Sequence, residues 1–186
     1  MDEQTFQALV VTETENGNFE RAVRERLIGD LPEGDVLIRV HYSSLNYKDA
    51  LSATGNKGVT REYPHTPGID ASGIVEDSSS GQFKAGQEVL VTGYDLGSNT
   101  DGGFAEYIRV PESWVVSLPD DLSLRESMIL GTAGFTAGYG IYKLLHNDTE
   151  PGDGEVLVTG ATGGVASLGI AILNKIGYRV AAATGK

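Results

Sequence analysis

A short apolar strand, Glu155-Val156-Leu157-Val158-Thr159, runs into the small residues Gly160-Ala161-Thr162-Gly163-Gly164 and then into Val165-Ala166 and a helical pattern. A strand-to-helix turn of this kind aims unpaired backbone N–H groups and the positive end of a helix dipole at one point, and small residues let an anion reach the backbone. The chemistry that follows is pyrophosphate binding, as in a dinucleotide site. Against the spacing G-x-G-x-x-G/A, Ala161 takes the place of the first glycine, Gly163 keeps the second, and Ala166 satisfies the third. Ala161, Thr162, Gly163, Gly164 and Val165 are therefore the candidate cofactor contacts of this turn.

The elements around the turn support that reading. Val165, Leu168, Ile172 and Ile176 recur at helical spacing, Gly177 supplies a stop, and a second strand is expected over Tyr178 to Ala183. Together they make one βαβ unit, whose second strand should end near the adenosine ribose. NAD-binding versions place an acid there to hold the 2′-hydroxyl. This chain offers Thr184-Gly185-Lys186 instead. A hydroxyl followed by a cation suits a 2′-phosphate, so the expected cofactor is NADPH rather than NADH; an ordinary surface lysine is the plain alternative. A doubly wound sheet normally has about six strands, and two are legible here. The expectation is an N-terminal portion of a longer enzyme, with an unpaired sheet edge and exposed apolar surface after about Gly152, little turnover of its own, and a tendency to self-associate. A homo-oligomer is thus among the expected partners.

Composition narrows the classes. The 186 residues are 40% hydrophobic and include no cysteine, which excludes a disulfide framework, a thiolate metal site and a Cys nucleophile. No apolar run approaches a membrane span, and Met1-Asp2-Glu3-Gln4 lacks the pattern of a signal peptide, so a soluble cytoplasmic protein without membrane partners is expected. A formal charge of −12 and a pI near 4.6 argue against nucleic acid, which needs clustered Lys and Arg.

Upstream of about residue 120 the pattern changes to short strands. Candidates lie near Phe6 to Val11, Phe19 to Arg24, Val36 to His41, Ile74 to Glu76, Glu88 to Thr92, Phe104 to Val110 and Val115 to Leu118, separated by turns such as Leu31-Pro32-Glu33-Gly34-Asp35 and Lys84-Ala85-Gly86-Gln87. Their number and spacing predict a β-rich domain, a distorted barrel, over residues 1–121. Ser123 and Glu126 form an S-x-x-E capping box that starts a helix. Residues 122–186 then hold a helical linker and the first βαβ unit of an incomplete Rossmann domain.

A β-rich domain followed by a Rossmann unit resembles the medium-chain dehydrogenase/reductase superfamily. The resemblance rests on Leu45-Asn46-Tyr47-Lys48-Asp49-Ala50-Leu51, Pro67-Gly68-Ile69-Asp70-Ala71-Ser72-Gly73, Gly102-Gly103-Phe104-Ala105-Glu106-Tyr107 and Gly131-Thr132-Ala133-Gly134-Phe135-Thr136-Ala137. The N-Y-K-D-A-L and G-T-A-G-F-T-A wording is most similar to the acryloyl-CoA reductase and quinone oxidoreductase-like branch. It implies an α/β plus β-rich fold in which a GroES-like distorted barrel precedes the start of a Rossmann domain. Zinc-dependent members carry C-x-x-D and G-H-E-x-x-G. Here Asn46 and Ile69 stand where those members have the zinc-binding Cys and His, and neither replaces a thiolate or an imidazole as ligand. The resemblance therefore implies a zinc-free enzyme, and His41, His65 and His146 show no metal-ligand spacing to restore a site.

Without a Lewis acid to hold an alkoxide, an activated alkene is the better substrate than a simple alcohol. Hydride delivered to the β-carbon of an enone or enoyl thioester places charge on the carbonyl oxygen, where hydrogen-bond donors can stabilise it. The resemblance supplies Tyr47 and Asn46 as the polar catalytic candidates, with Asp49 as structural support for their segment. Tyr47 also suits plain packing and Asn46 a helix cap. Thr132 and Thr136 are candidate cofactor contacts that equally suit capping. Gly102 and Gly103 read as backbone devices for a turn or close approach, and Ser43, Ser44 and Ser78-Ser79-Ser80 show no hydrolase triad. The expected function is an NADPH-dependent reductase of a small conjugated carbonyl compound, an acryloyl-CoA-like thioester or a quinone. A noncatalytic binding or assembly module built on the β-rich domain is the alternative.

Overall fold

Strand β1 (Thr5–Glu13) alternates buried Phe6, Ala8 and Val10 with outward Thr5 and Gln7, the period of two that places one strand face on a core. It pairs antiparallel with β2 (Phe19–Leu27). A second, all-antiparallel sheet has the order β6-β3-β4-β5-β7, formed by β3 (Val36–Ser43), β4 (Asp70–Ser78), β5 (Glu88–Thr92), β6 (Tyr107–Val110) and β7 (Val116–Ser117). Between them, Leu9 N–H donates to the Phe104 carbonyl and Val11 N–H to that of His65, each at 2.8 Å, so the hairpin closes onto the larger sheet. Inside lie Val36, Ile38, Val75, Val89, Val91, Ile108 and Val110, all buried. Truncating one such aliphatic side chain costs about 2–5 kcal/mol, because the transfer term and the cavity term add.

These elements belong to the first of two compact units into which the chain divides, Met1–Ile129 and Leu130–Lys186. The computed structural model describes residues 3–185, so Lys186, one of the candidate cofactor contacts, lies outside the described residues. The first stretch of helix α2 (Leu124–Leu145) goes with the barrel, where the buried Ser72 hydroxyl donates to the Leu124 carbonyl at 2.8 Å. Its start is the expected capping box. Ser123 N–H donates to the Glu126 carboxylate at 3.0 Å and Glu126 N–H donates back to the Ser123 hydroxyl at 3.2 Å, satisfying two donors that a helix start leaves open. Gly131 interrupts α2 at φ 50°, ψ −156°, a conformation open essentially to glycine alone.

The second unit continues from that interruption through β8 (Glu155–Thr159), α3 (Gly164–Lys175) and β9 (Arg179–Ala183). β8 and β9 pair in parallel, Glu155 opposite Arg179 through Thr159 opposite Ala183, which requires the α3 crossover between them. Ile141, Leu173 and Tyr178 form the buried centre of this unit. Among the described residues no helix is long and apolar enough to cross a membrane.

Several local expectations need correction, among them the strand read to Arg24, which runs on to Leu27, and that read as Val115 to Leu118, which is Val116–Ser117. The strand read as Ile74 to Glu76 runs from Asp70 to Ser78, because Ala71, Ser72 and Gly73, poor strand formers alone, are paired on both sides by β3 and β5. The strand read from Phe104 begins at Tyr107, since Gly102, Gly103 and Phe104 donate instead to carbonyls in the Thr66–Gly68 loop. The helix read over Val165 to Ile176 starts and stops one residue earlier, and its following strand begins at Arg179 because Tyr178 N–H closes the helix end onto the Leu173 carbonyl.

Candidate functional site

In the first unit, a seven-residue helix, α1 (Tyr47–Ala53), starts one residue after Asn46. The Asp49 carboxylate accepts from Asn46 N–H at 2.7 Å and, across twenty residues of sequence, from Ile69 N–H at 2.9 Å. One buried side chain thus clamps the Asn46 segment to the Gly68–Ile69 loop. Burial raises the Asp49 pKa above its ordinary 3.8, and the two backbone donors pull in the opposite direction.

Asn46 is the N-cap of α1 and forms a capping box with Asp49, as its alternative reading as a helix cap expected, and its amide nitrogen reaches across to the next strand. It donates to Asp70 Oδ2 at 2.8 Å and to Ser44 Oγ at 3.3 Å, and the Ser44 hydroxyl also donates to Asp70. Asp70 is fully buried. Asn46 is thereby fixed in one orientation. Tyr47 is different: it is 81% exposed, and its ring stands at the first position of α1 without burial. The Ser44–Asp70 pairing was missed by sequence reading. Its only signal was that Asp70 follows Ile69 in the segment compared with G-H-E-x-x-G, an acid in the place of the glutamate.

Two glycines allow these segments to meet. A Cβ on Gly68, which sits at φ 113°, would lie 2.6 Å from Phe104 N, and one on Gly103 would lie 2.4 Å from the Asp70 carbonyl oxygen. Any side chain at either position would force the loops apart. His65 is buried nearby, with Nδ1 3.8 Å from Asp101, which also receives the Arg26 guanidinium at 2.6 Å. Desolvation lowers the His65 pKa. Among the described residues no group of three or more His, Asp or Glu side chains could hold a metal ion.

In the second unit the candidate site is made of backbone. Gly160 turns at φ 65°, Ala161 N–H donates to the Ala183 carbonyl at 3.1 Å, and Gly163 N–H donates to the Gly160 carbonyl at 2.8 Å. The turn is thus held by its own amides and by the end of β9, and the first turn of α3 begins at Gly164. An α-helix leaves its first N–H groups without intrahelical acceptors, and no side chain caps those of α3. A cavity of about 610 Å³ lies along this turn, walled by Gly160, Gly163, Gly164 and Val165 together with Thr136 and Ala137 of α2. The structure thus brings Thr136 to the glycine turn. The Thr136 hydroxyl donates to the Thr132 carbonyl at 2.7 Å. Thr132, Ala161, Thr162, Thr184 and Gly185 do not line the cavity.

Comparison with known proteins places both halves of this description. Residues 32–120 match the alcohol dehydrogenase GroES-like domain. The acrylyl-CoA reductase AcuI of Ruegeria pomeroyi is 46% identical over 182 residues, which are 97% of this chain and 55% of that protein. The "Putative quinone oxidoreductase YhfP" of Bacillus subtilis is 51% identical over 156 residues, 84% of this chain and 47% of that protein. Its crystal structure with NAD bound aligns at a TM-score of 0.94, covering 99% of this chain and 56% of that one. The yhdH oxidoreductase from Salmonella enterica in complex with NADP also aligns at 0.94, with 49% identity over 97% of this chain and 55% of that one. The chain belongs to the medium-chain dehydrogenase/reductase superfamily, in the branch of the acrylyl-CoA reductases and quinone oxidoreductases. It spans about half the length of the relatives it matches.

Proposed function

We propose that the protein carrying this chain is a cytoplasmic, zinc-independent reductase of α,β-unsaturated carbonyl compounds that uses NADPH. Residues 1–121 supply the substrate-binding domain and residues 122–186 the first part of the cofactor domain. The observation that carries the reading is the chemistry at two positions. Asn46 has its amide engaged by Asp70, and Ile69 contributes a backbone donor to Asp49 and an aliphatic side chain, where metal-dependent relatives have a thiolate and an imidazole.

The glycine turn fits a dinucleotide. Gly163 and Gly164 present backbone with no Cβ, and the α3 amides face an anion with the favourable end of the helix dipole. When bound, NADPH supplies a hydride for the β-carbon of the substrate. The chain's own part is to bind and polarise. Tyr47, exposed at the start of α1, donates a hydrogen bond or a proton to the oxygen that gains charge. Asn46, fixed by Asp70 and Ser44, orients substrate or nicotinamide, and Asp49 keeps the two segments in register. Thr132 and Thr136, with Ala161, Thr162, Gly163, Gly164 and Val165, serve the cofactor. Thr184, Gly185 and Lys186 serve its 2′-phosphate, since no carboxylate among them favours a ribose diol. Relatives are known with NADP and with NAD bound, so the preference of this chain rests on those residues.

The test is oxidation of NADPH by the protein that carries this chain with crotonyl-CoA, a simple enone and a quinone, alongside metal analysis. Substrate-dependent loss of NADPH absorbance in zinc-free protein is expected. Stoichiometric zinc whose chelation abolishes turnover would contradict the reading. Lys186→Glu should lower kcat/KM with NADPH more than with NADH, and equal losses would remove the 2′-phosphate argument.

A further inference from the structure

One aromatic side chain is held in a costly backbone conformation while its ring stays largely exposed. Tyr94 follows Gly93 at the end of β5, and both have positive φ, 77° for Gly93 and 53° for Tyr94. Bulky residues rarely adopt that region, and Gly, Asn or Asp would suit a turn of two such residues better. Burial does not explain the choice, because Tyr94 is 60% exposed. Its ring lies parallel on Trp114, with centroids 5.4 Å apart and planes 6° apart. Trp114 is itself packed against the barrel core. One face of the Tyr94 ring is therefore backed by a rigid partner, and the hydroxyl makes no hydrogen bond among the described residues.

The strand register says where this platform stands. Thr92, two residues before Tyr94, is paired with Asp70, and Gly93 N–H donates to the Ile69 carbonyl at 3.0 Å. On the other side of β5, Leu90 pairs with Val116, which carries Trp114 to the same end of the sheet. The Tyr94–Trp114 pair and the Ser44–Asn46–Asp70 cluster thus share one end of the barrel, separated by about two strand spacings, or roughly 10 Å.

Resting on the reductase reading above, we propose that Tyr94 is a substrate-positioning residue, the open ring face of which stacks a planar ring of the substrate. Aromatic rings favour offset parallel stacking. A ring held by its backbone and by Trp114 loses little freedom when a second ring joins it. Because the platform stands away from the donors, the ring belongs to a part of the substrate remote from the reacting carbonyl, the adenine of a coenzyme A thioester. Tyr94 differs in role from Asn46 and Tyr47 because it grips a part of the substrate about 10 Å from the donors.

The test compares Tyr94→Gly, which removes the ring and suits the backbone angle, with Tyr94→Phe, which keeps the ring. Substrates are crotonyl-CoA, crotonyl-pantetheine, which lacks adenine, and a naphthoquinone. Tyr94→Gly should raise KM tenfold or more for crotonyl-CoA and leave KM for the naphthoquinone, whose ring is itself the reacting group, unchanged. KM for crotonyl-pantetheine and the unfolding temperature should hold, and Tyr94→Phe should restore the lost affinity. An equal KM rise for the ringless thioester, or no rise with crotonyl-CoA, overturns the proposal. Trp114, the single tryptophan of the chain, gives a readout independent of turnover. A saturable change in its fluorescence with crotonyl-CoA, lost in Tyr94→Gly, is expected, and its absence in the unsubstituted protein overturns the proposal. Ring-dependent binding without any reduction would defeat the reductase reading and leave this one standing, whereas reduction blind to the ring would do the reverse.

Discussion

The two candidate sites are built from different materials. In the barrel unit the geometry is written in side chains: Asp49 joins two segments, Asp70 fixes Asn46 and Ser44, and glycines at 68 and 103 let the loops touch. In the βαβ unit it is written in backbone, a turn held by its own amides and a helix start with no side-chain cap. A side-chain site is specific and fragile, since removing one partner strands others in a buried place. A backbone site tolerates changes of side chain and fails when bulk fills it.

The sharpest way to break the comparison is Asp49→Ala. It leaves the Asn46 and Ile69 amides without their acceptor in a buried site and should cost about 3 kcal/mol of stability, read by urea unfolding. A loss below a few tenths of a kcal/mol would show that the clamp is not structural. Tyr47→Phe should leave unfolding unchanged, because the ring is exposed, yet lower kcat by about a hundredfold if the hydroxyl acts as the acid. An unaltered kcat assigns the proton elsewhere. On the other side, Gly163→Val adds bulk to the turn without a positive φ to violate. It should weaken NADPH binding about tenfold, by titration, with only a small fall in the unfolding midpoint from the Cβ that would lie 3.3 Å from the Gly160 carbonyl oxygen.

The smallest effect separates the units by pH. The pKa of His65 is lowered in the folded state, so the unfolded chain binds the proton more readily. The stability it contributes is present above its ordinary 6.5 and is lost as pH falls through the lower folded value. Asp49 has the opposite sign, with a raised folded pKa, so its effect is confined to the window just above 3.8. Acidification below 6.5 should therefore weaken the barrel unit first, and His65→Gln should flatten that slope in pH-dependent unfolding. An unchanged slope would place the titrating group elsewhere.

The same contrast explains what could be read from the chain. β5 was legible at both ends, because Glu88–Thr92 is a β-rich run bounded by turns, and the Ser123–Glu126 box announced α2 through local chemistry. The phosphate turn was legible for the same reason: its determinants lie within twelve consecutive residues. The Asn46–Asp70 and Asp49–Ile69 contacts join residues more than nineteen positions apart, and no local pattern encodes such a pairing. β4 was read short because Ala71, Ser72 and Gly73 belong to a strand only through their neighbours. At Gly73 a Cβ would lie 2.0 Å from the Arg39 carbonyl oxygen, so what looks like a strand breaker is the residue that admits β3.

The pairing distances also order the units in time. In the βαβ unit the two strands meet across twenty-four positions, Glu155 to Arg179, with a helix that forms in about a microsecond or less. In the barrel, Val36 waits for Val110, and Leu9 for Phe104. Such long closures must be made before their contacts stabilise anything, and they slow folding. During synthesis the apolar face of β1 meets Ile28, Leu31 and Leu37 first, but its cluster is completed only when Tyr107 arrives. That interval is when the barrel unit is most exposed to misassociation, and its rate of closure, not that of the phosphate turn, sets the pace at which the substrate site comes into being.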